Sequence, residues 1–530
     1  MIADFNISSS TGGILRLSGS LQPSWGNRPG NDNTIMPSVK SLFKDTAIYG
    51  VSSIVGRFLN WCLVPMYTYC FAAAEYGIVT NIYAYVALAL VILTYGMETG
   101  FFRFANHERW KDPIQVYTTA LISLGVSSLL FIVAMCLISP WLASLMDCGA
   151  HPAFIWMMAI AVGVDAYTAI PFAYLRYRKR PMRFATLKLI SIAINIALNL
   201  FFIIACPRIW ESSPEWIAWF YDPTFGIGYI FLANLISSLA VLLLLYPEIT
   251  GVRYSFNGRL LREMLRYSYP LLIIGIAGIM NQTIDKILFP IIYPDKAMAM
   301  SELGIYGANY KIAIVMVMFI QAFRFAYEPF IFAQNKEKGE DKNVAYRQAM
   351  TWFVIAGMFI FLGVMYFLPV LKYFISPAYF SGLKVVPLIM LAEFFFGIFF
   401  NLSLWYKITD KTIWGTWFSL LGLAVTVSLN FLLVPLLGFM GCAIAALGCY
   451  GVMMLASYFV GRAKHPIGYD IPRIVFYFVA GMLLWGVAAA VTSGNNLFDL
   501  PLRVLLLAVY IGIVFLAERR GTFDRILVRR

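Results

Sequence analysis

Fourteen apolar stretches, each long enough to cross a bilayer, leave this chain little choice of environment. A span needs roughly 20 mostly apolar residues. Runs of that kind fall at 45–67, 77–99, 114–138, 153–175, 184–206, 226–246, 267–292, 303–331, 349–374, 385–406, 413–435, 439–460, 474–492 and 501–517. The hydrophobic fraction is 61% and the charged fraction 13%, against roughly 45–50% and ~25% in soluble domains. The expected fold is an all-α polytopic membrane protein of about fourteen transmembrane helices.

The basic residues orient these spans. With the amino terminus inside, the inside loops hold Arg103, Arg109 and Lys111, the run Arg176–Arg183, Arg253 to Arg266, Lys336 to Arg347, Lys407 and Lys411, and Arg462 to Arg473. The outside loops hold only Arg208, Lys296, Lys372, Lys384 and Arg503. Cytoplasmic loops carry the excess of Lys and Arg, so both termini are expected in the cytoplasm of a cell with this chain in its inner (plasma) membrane. The net charge of +13 follows from this asymmetry and does not point to nucleic acid.

The chain also repeats. Shifted by 225 positions, Ser41–Tyr67 falls on Arg266–Ile292, and Gly50, Leu63 and Pro65 meet Gly275, Leu288 and Pro290. A two-residue slip then lays Glu75-Tyr-Gly-Ile78 on Glu302-Leu-Gly-Ile305, and Tyr83 on Tyr310. Spans one and seven run in the same direction, so the halves are parallel repeats. The expected organisation is a disordered tail over 1–40, a six-helix lobe over 41–266 and a second over 267–460. Residues 461–530 form a last helix pair and a basic tail. Met36 is an alternative start.

Each copy of the first span carries a polar stripe. Gly50, Ser53, Arg57 and Asn60 share one helix face, and their counterparts are Gly275, Gly278, Gln282 and Asp285. Small residues serve close helix packing, which accounts for Gly50 and Ser53 but not for Arg57. A charge near the bilayer centre costs about 2.5–3.5 kcal/mol and usually faces a bundle interior or a wet cavity. Both stripes are therefore expected to line a central cavity.

The basic candidates within the spans are Arg57, Lys286, Lys311 and Arg324, and the acidic ones Glu98, Asp165, Asp285, Glu328 and Glu393. Lys311 is expected to pair with Asp285, and Arg324 with Glu328 one turn on. Glu98 lies at an inner span end, where snorkelling to water is cheap. The excess of cations on spans one, seven and eight suggests an anionic substrate held by Arg57, Asn60, Lys286, Lys311 and Arg324; Arg suits phosphate because it binds it bidentately and stays charged. Asp285, Asp165 and Glu98 are candidates for coupling to H⁺ or Na⁺. Tyr49, Tyr67, Tyr83, Tyr85, Tyr95, Tyr306 and Tyr310 crowd the same spans, either as stacking faces for sugars or as interfacial and packing residues.

Other chemistries lack their motifs. No loop has room for a catalytic or nucleotide-binding domain, no GxxxxGK[ST] loop is present, and the three His lie in loops without HExxH. The seven scattered Cys form neither a disulfide framework nor a metal pattern. No enzyme activity, cofactor or nucleotide is expected.

Ala47-Ile-Tyr-Gly50, Arg57-Phe-Leu-Asn60, Pro65-Met-Tyr67, Glu75-Tyr-Gly77 and Tyr95-Gly-Met-Glu-Thr99 followed by Phe101-Phe-Arg-Phe104 resemble the opening hairpin of bacterial polysaccharide (O-antigen type) flippases. Leu303-Gly-Ile-Tyr-Gly-Ala-Asn-Tyr-Lys311 resembles the matching hairpin of their second half. The family lies within the multidrug/oligosaccharidyl-lipid/polysaccharide exporter superfamily. The resemblance covers about residues 41–460. It implies a V-shaped pair of six-helix lobes, alternating access, and movement of an undecaprenyl-pyrophosphate-linked oligosaccharide through the membrane for surface polysaccharide synthesis. Related lipid II flippases show several arginines across their first two spans; here only Arg57 is deep in that region. A drug/cation antiporter is the other transporter alternative, and fits twelve spans better. An O-antigen polymerase or ligase would carry a long outside loop, and the longest here, 207–225, is short.

Overall fold

The computed structural model describes residues 50, 54–107, 109–110, 112–334, 341–409, 411–491 and 496–519. The expected tail over 1–40, Tyr49, Ser53, the Glu328 side chain and the basic residues beyond Arg519 lie outside the described residues. The described chain is helical, with no strand among the described residues. It falls into two compact units: one holding residues up to Asn60 and Val86–Ile276, the other Trp61–Tyr85 and Ala277 onward.

Among the described residues, twelve helices are long and apolar enough to cross a membrane, and they coincide with twelve of the fourteen expected spans. The sixth expected span is the 17-residue helix Gly228–Leu244. The first is described from residue 54 only, as α1 over 54–61 and α2 over Val64–Cys70.

In the first unit, α3 (Ala73–Thr94), from Val86 on, leads through Gly96 into α4 (Met97–Ala105). Gly96 has φ +70°, which favours glycine, and its carbonyl accepts from the Ser268 hydroxyl. Then come α5 (Pro113–Leu145), α6 (Ala153–Tyr177), α7 (Pro181–Leu200), α8 (Cys206–Ser212), α9 (Gly228–Leu244), α10 (Tyr246–Thr250) and the start of α11 (Gly258–Ile292). Asp112 caps α5 by accepting from the Ile114 amide, with Pro113 in the first turn. Between α7 and α8 the backbone widens to a π-turn over Phe201–Ala205. Pro207 follows directly and cannot donate to the helical ladder. Ser191 and Ser237 tie α7 to α9. The segment before α11 is pinned to α5 by Thr118 and Gln115 on Ser255, and Asn257 caps α11 through the amides of Arg259 and Leu260.

The second unit holds α2, α3 up to Tyr85, the rest of α11, α12 (Lys296–Gln334), α13 (Asp341–Leu371), α14 (Val386–Leu402), α15 (Leu404–Ile408), α16 (Ile413–Leu437), α17 (Phe439–Lys464), α18 (Ile471–Val491) and α19 (Asn496–Arg519). Gly438 at φ +58° turns α16 directly into α17. Phe353, Phe361, Phe394 and Trp405 are fully buried in its core. The last helix pair packs onto this core: Tyr510 donates to the Ile355 carbonyl and Arg503 to that of Tyr366. Arg473 on α18 pairs with Glu518 on α19.

Candidate functional site

The first unit carries Arg57, Asn60, Glu98 and Asp165; the second carries Asp285, Lys286, Lys311 and Arg324. Arg57 is half-buried and Asn60 buried, both on α1. Glu98 opens α4 and is ion-paired with Arg176 at the end of α6. Asp165 is half-buried in the middle of α6, where its carbonyl accepts from the Thr168 hydroxyl.

The second unit gathers its charged residues into one network on α11, α12 and α14. Asp285 is 6% exposed. Lys286 folds back along α11 so that Nζ donates to both Asp285 carboxylate oxygens at 3.0 Å and to the Gln282 carbonyl at 3.1 Å. Tyr306 on α12 donates its hydroxyl to Asp285 Oδ2 at 2.7 Å. The expected pairing of Asp285 with Lys311 is therefore replaced by pairing with its own neighbour, which needs no second helix and leaves the carboxylate saturated. One turn further along α12, the Tyr310 hydroxyl donates to Glu393 Oε1 of α14 at 2.6 Å. Lys286 Nζ also lies 4.3 Å from the centre of the Tyr310 ring and 5.4 Å from that of Tyr306, a cation–π arrangement. These two tyrosine rings thus face the ammonium, and Tyr306 is fully buried.

Lys311 is half-buried on the same helix, next to Tyr310, whose ring Lys286 Nζ faces. Its carbonyl accepts from Trp61 Nε1 at 2.7 Å, and the Lys286 carbonyl accepts from Asn81 at 2.8 Å. Among the described residues no carboxylate lies within ion-pair distance of Lys311 Nζ. Drawn fully ionised, Asp285, Glu393, Lys286 and Lys311 sum to zero, which is how buried charge is tolerated. The Arg324 guanidinium lies 4.1 Å from the Phe400 ring centre, with Lys407 Nζ 4.2 Å from the same ring. Its expected partner Glu328 has a side chain outside the described residues.

Glu393 is among the expected intramembrane acids but not among the expected site residues. Its signal is a lone acid inside Leu391-Ala-Glu-Phe-Phe-Phe, and only the fold brings it to Tyr310. Among the described residues no cluster of His, Cys, Asp and Glu could hold a metal ion. The arrangement can hold an anion at Lys311 and can move a proton or exchange partners among the acids.

The fold is similar to those of solved transporters. The lipid II flippase MurJ, in its inward closed conformation, aligns with a TM-score of 0.67 at 13% identity, over 90% of this chain and 99% of that one. An inward-facing multidrug resistance MATE family transporter of the MOP superfamily aligns at 0.61 and 13% identity, over 81% and 95%. A Vibrio cholerae MATE transporter, VcmN, aligns at 0.54 and 13% identity, over 81% and 99%. No curated protein matches the chain by sequence. A family model described as polysaccharide biosynthesis protein matches residues 42–335. This match over more than half of its length shows that the chain belongs to the polysaccharide biosynthesis protein family.

Proposed function

We propose that the protein is a flippase that moves an undecaprenyl-pyrophosphate-linked oligosaccharide from the inner to the outer leaflet of a bacterial inner membrane, by alternating access and without a nucleotide. The observation that carries this reading is the buried network of Asp285, Lys286, Tyr306, Tyr310 and Glu393 beside Lys311, in a family tied to polysaccharide synthesis. Asp285 already satisfies Lys286, so the charge of Lys311 is available to a pyrophosphate. Arg57 and Asn60 are further headgroup contacts, and Arg324 is an outlying one. Coupling to H⁺ or Na⁺ would run through Asp285, with Glu393 as its companion; Asp165 is a second candidate, and the ion pair of Glu98 with Arg176 makes it a weaker one. Both termini face the cytoplasm.

Deleting the gene should make a lipid-linked oligosaccharide accumulate on the cytoplasmic leaflet. The likeness to the lipid II flippase spans 90% of the chain and favours one other cargo. If the accumulating species is the peptidoglycan precursor, that cargo replaces the oligosaccharide.

A further inference from the structure

A lysine stem is long enough to carry its ammonium toward water. The stem of Lys286 instead turns back along α11, to the residue before it and to the carbonyl one turn earlier. Ordering that stem costs its rotamer freedom, and the side chain is left 12% exposed. Around Nζ stand Asp285 Oδ1 and Oδ2, each at 3.0 Å, and the Gln282 carbonyl oxygen at 3.1 Å. The rings of Tyr310 and Tyr306 add two aromatic faces, with centres at 4.3 and 5.4 Å. Carboxylate and carbonyl oxygens together with aromatic faces are the groups that hold a small cation stripped of water.

The carboxylate has no oxygen to spare. Oδ1 also accepts from the Lys286 amide at 2.9 Å, and Oδ2 from the Tyr306 hydroxyl at 2.7 Å. Each oxygen thus carries two donors, its full set. The repeat adds a second observation from the sequence. Shifted by 225 positions, Asp285 and Lys286 fall on Asn60 and Trp61. One copy has neither charge and the other has both, so the acid and the ammonium come as a unit.

We propose that Lys286 is a resident cation: its tethered ammonium fills a site shaped for a small monovalent cation, and Asp285 takes no Na⁺ while the lysine is in place. A metal ion arriving there would find both carboxylate oxygens engaged. It would also meet a like charge in the same shell, in a medium that screens poorly. The site stands on this geometry alone. Its consequence for coupling rests on the flippase reading: Na⁺ is not the ion that Asp285 exchanges during transport.

The test reads thermal unfolding of the full chain in detergent, in NaCl or choline chloride at one ionic strength. The parent chain should melt at the same temperature in both salts. Lys286→Ala should melt lower. Propylammonium, which replaces the deleted stem and ammonium, should raise its midpoint saturably, and Na⁺ should do the same at higher concentration. Lys286→Met combined with Asp285→Asn should answer to neither cation. Stabilisation of the parent chain by Na⁺ that is absent from this double variant would overturn the proposal. So would a Lys286→Ala protein indifferent to both cations. If Lys286→Ala does not accumulate, the two salts on the parent chain decide. In proteoliposomes, a fluorescent polyprenyl-pyrophosphate oligosaccharide should move no faster under a Na⁺ gradient than under an equal choline gradient. If the parent chain moves no probe under any gradient, the flippase reading fails, and the melting curves still decide the cation site.

Discussion

Lys286 Nζ faces the ring of Tyr310, the residue before Lys311, yet of the two lysines only Lys286 is seated against a carboxylate among the described residues. This asymmetry separates the two lysines experimentally. Lys286→Met should strand a buried Asp285, at a cost of about 3–5 kcal/mol, and membrane abundance should fall with transport. Asp285→Asn added to it should recover abundance. Lys311→Met removes a charge without orphaning an acid, so abundance should hold while transport drops at least tenfold. Immunoblots beside a flipping assay read both quantities.

Tyr310→Phe should leave Glu393 without its short hydroxyl contact. A hydrogen bond to a charged group is worth about 1.5–3 kcal/mol. Transport should fall by about tenfold, with a thermal-unfolding shift in detergent. Glu393→Gln keeps an acceptor for Tyr310 but cannot titrate. If Glu393 takes part in coupling, this variant should fold normally and lose the dependence of transport on the ion gradient.

Arg57→Lys keeps the charge and loses the bidentate fork, so transport should fall partway. Arg57→Ala should abolish most transport at normal abundance if the residue meets the headgroup. A parallel loss of abundance would assign Arg57 to helix packing. Full activity in Arg57→Ala at normal abundance would remove it from the site.

Topology is open to thiol labelling. Native Cys148 is buried and, with Asp147 beside it, its thiol is pushed up to about 11, so it should stay silent at neutral pH. Cysteines placed at the exposed positions Trp216 and Trp219 should react with a membrane-impermeant reagent from outside. A cysteine at exposed Lys179 should not. Labelling of Lys179→Cys from outside would reverse the orientation.

The loop bearing those tryptophans has its own acid limit. The side chain of Asp222 accepts from the Thr224 amide and hydroxyl, which holds its carboxyl below the usual carboxylate value. A depressed acid contributes its stabilisation above the unfolded pKa, about 3.9, and loses it as pH falls through the lower folded value. Fluorescence of Trp216 and Trp219 should therefore stay constant down to about pH 4 and change below it. Asp222→Ala should remove the transition.

Much of this was legible in the sequence. Lipid demands long apolar runs, so the spans announce themselves, and the repeat of Gly77 at Gly304 was visible because backbone contact tolerates only glycine. The polar cluster was half legible. An intramembrane charge is costly enough to be noticed, hence Asp285, Lys286 and Lys311, but its partner is set by tertiary geometry. Lys286 reaches Asp285 by folding along its own helix, and Glu393 reaches Tyr310 from 83 residues away. The sixth expected span came out short because its helix ends at Leu244 and a second one starts at Tyr246, just before Pro247.

The close crossing of α3 and α12, where Gly77 backs onto Met300 and Gly304 onto Ala73, bears on how such a chain could have arisen. Residue 73 meets 304 while residue 77 meets 300, which is the contact a two-fold dimer of a single hairpin would make. One copy of the repeat thus carries both surfaces of the interface, so an ancestral half-length polypeptide could have paired with itself before gene duplication and fusion joined the copies. Under that history the glycine is older than the fusion, and Asn60 and Asp285 are one ancestral position that now differs between the copies.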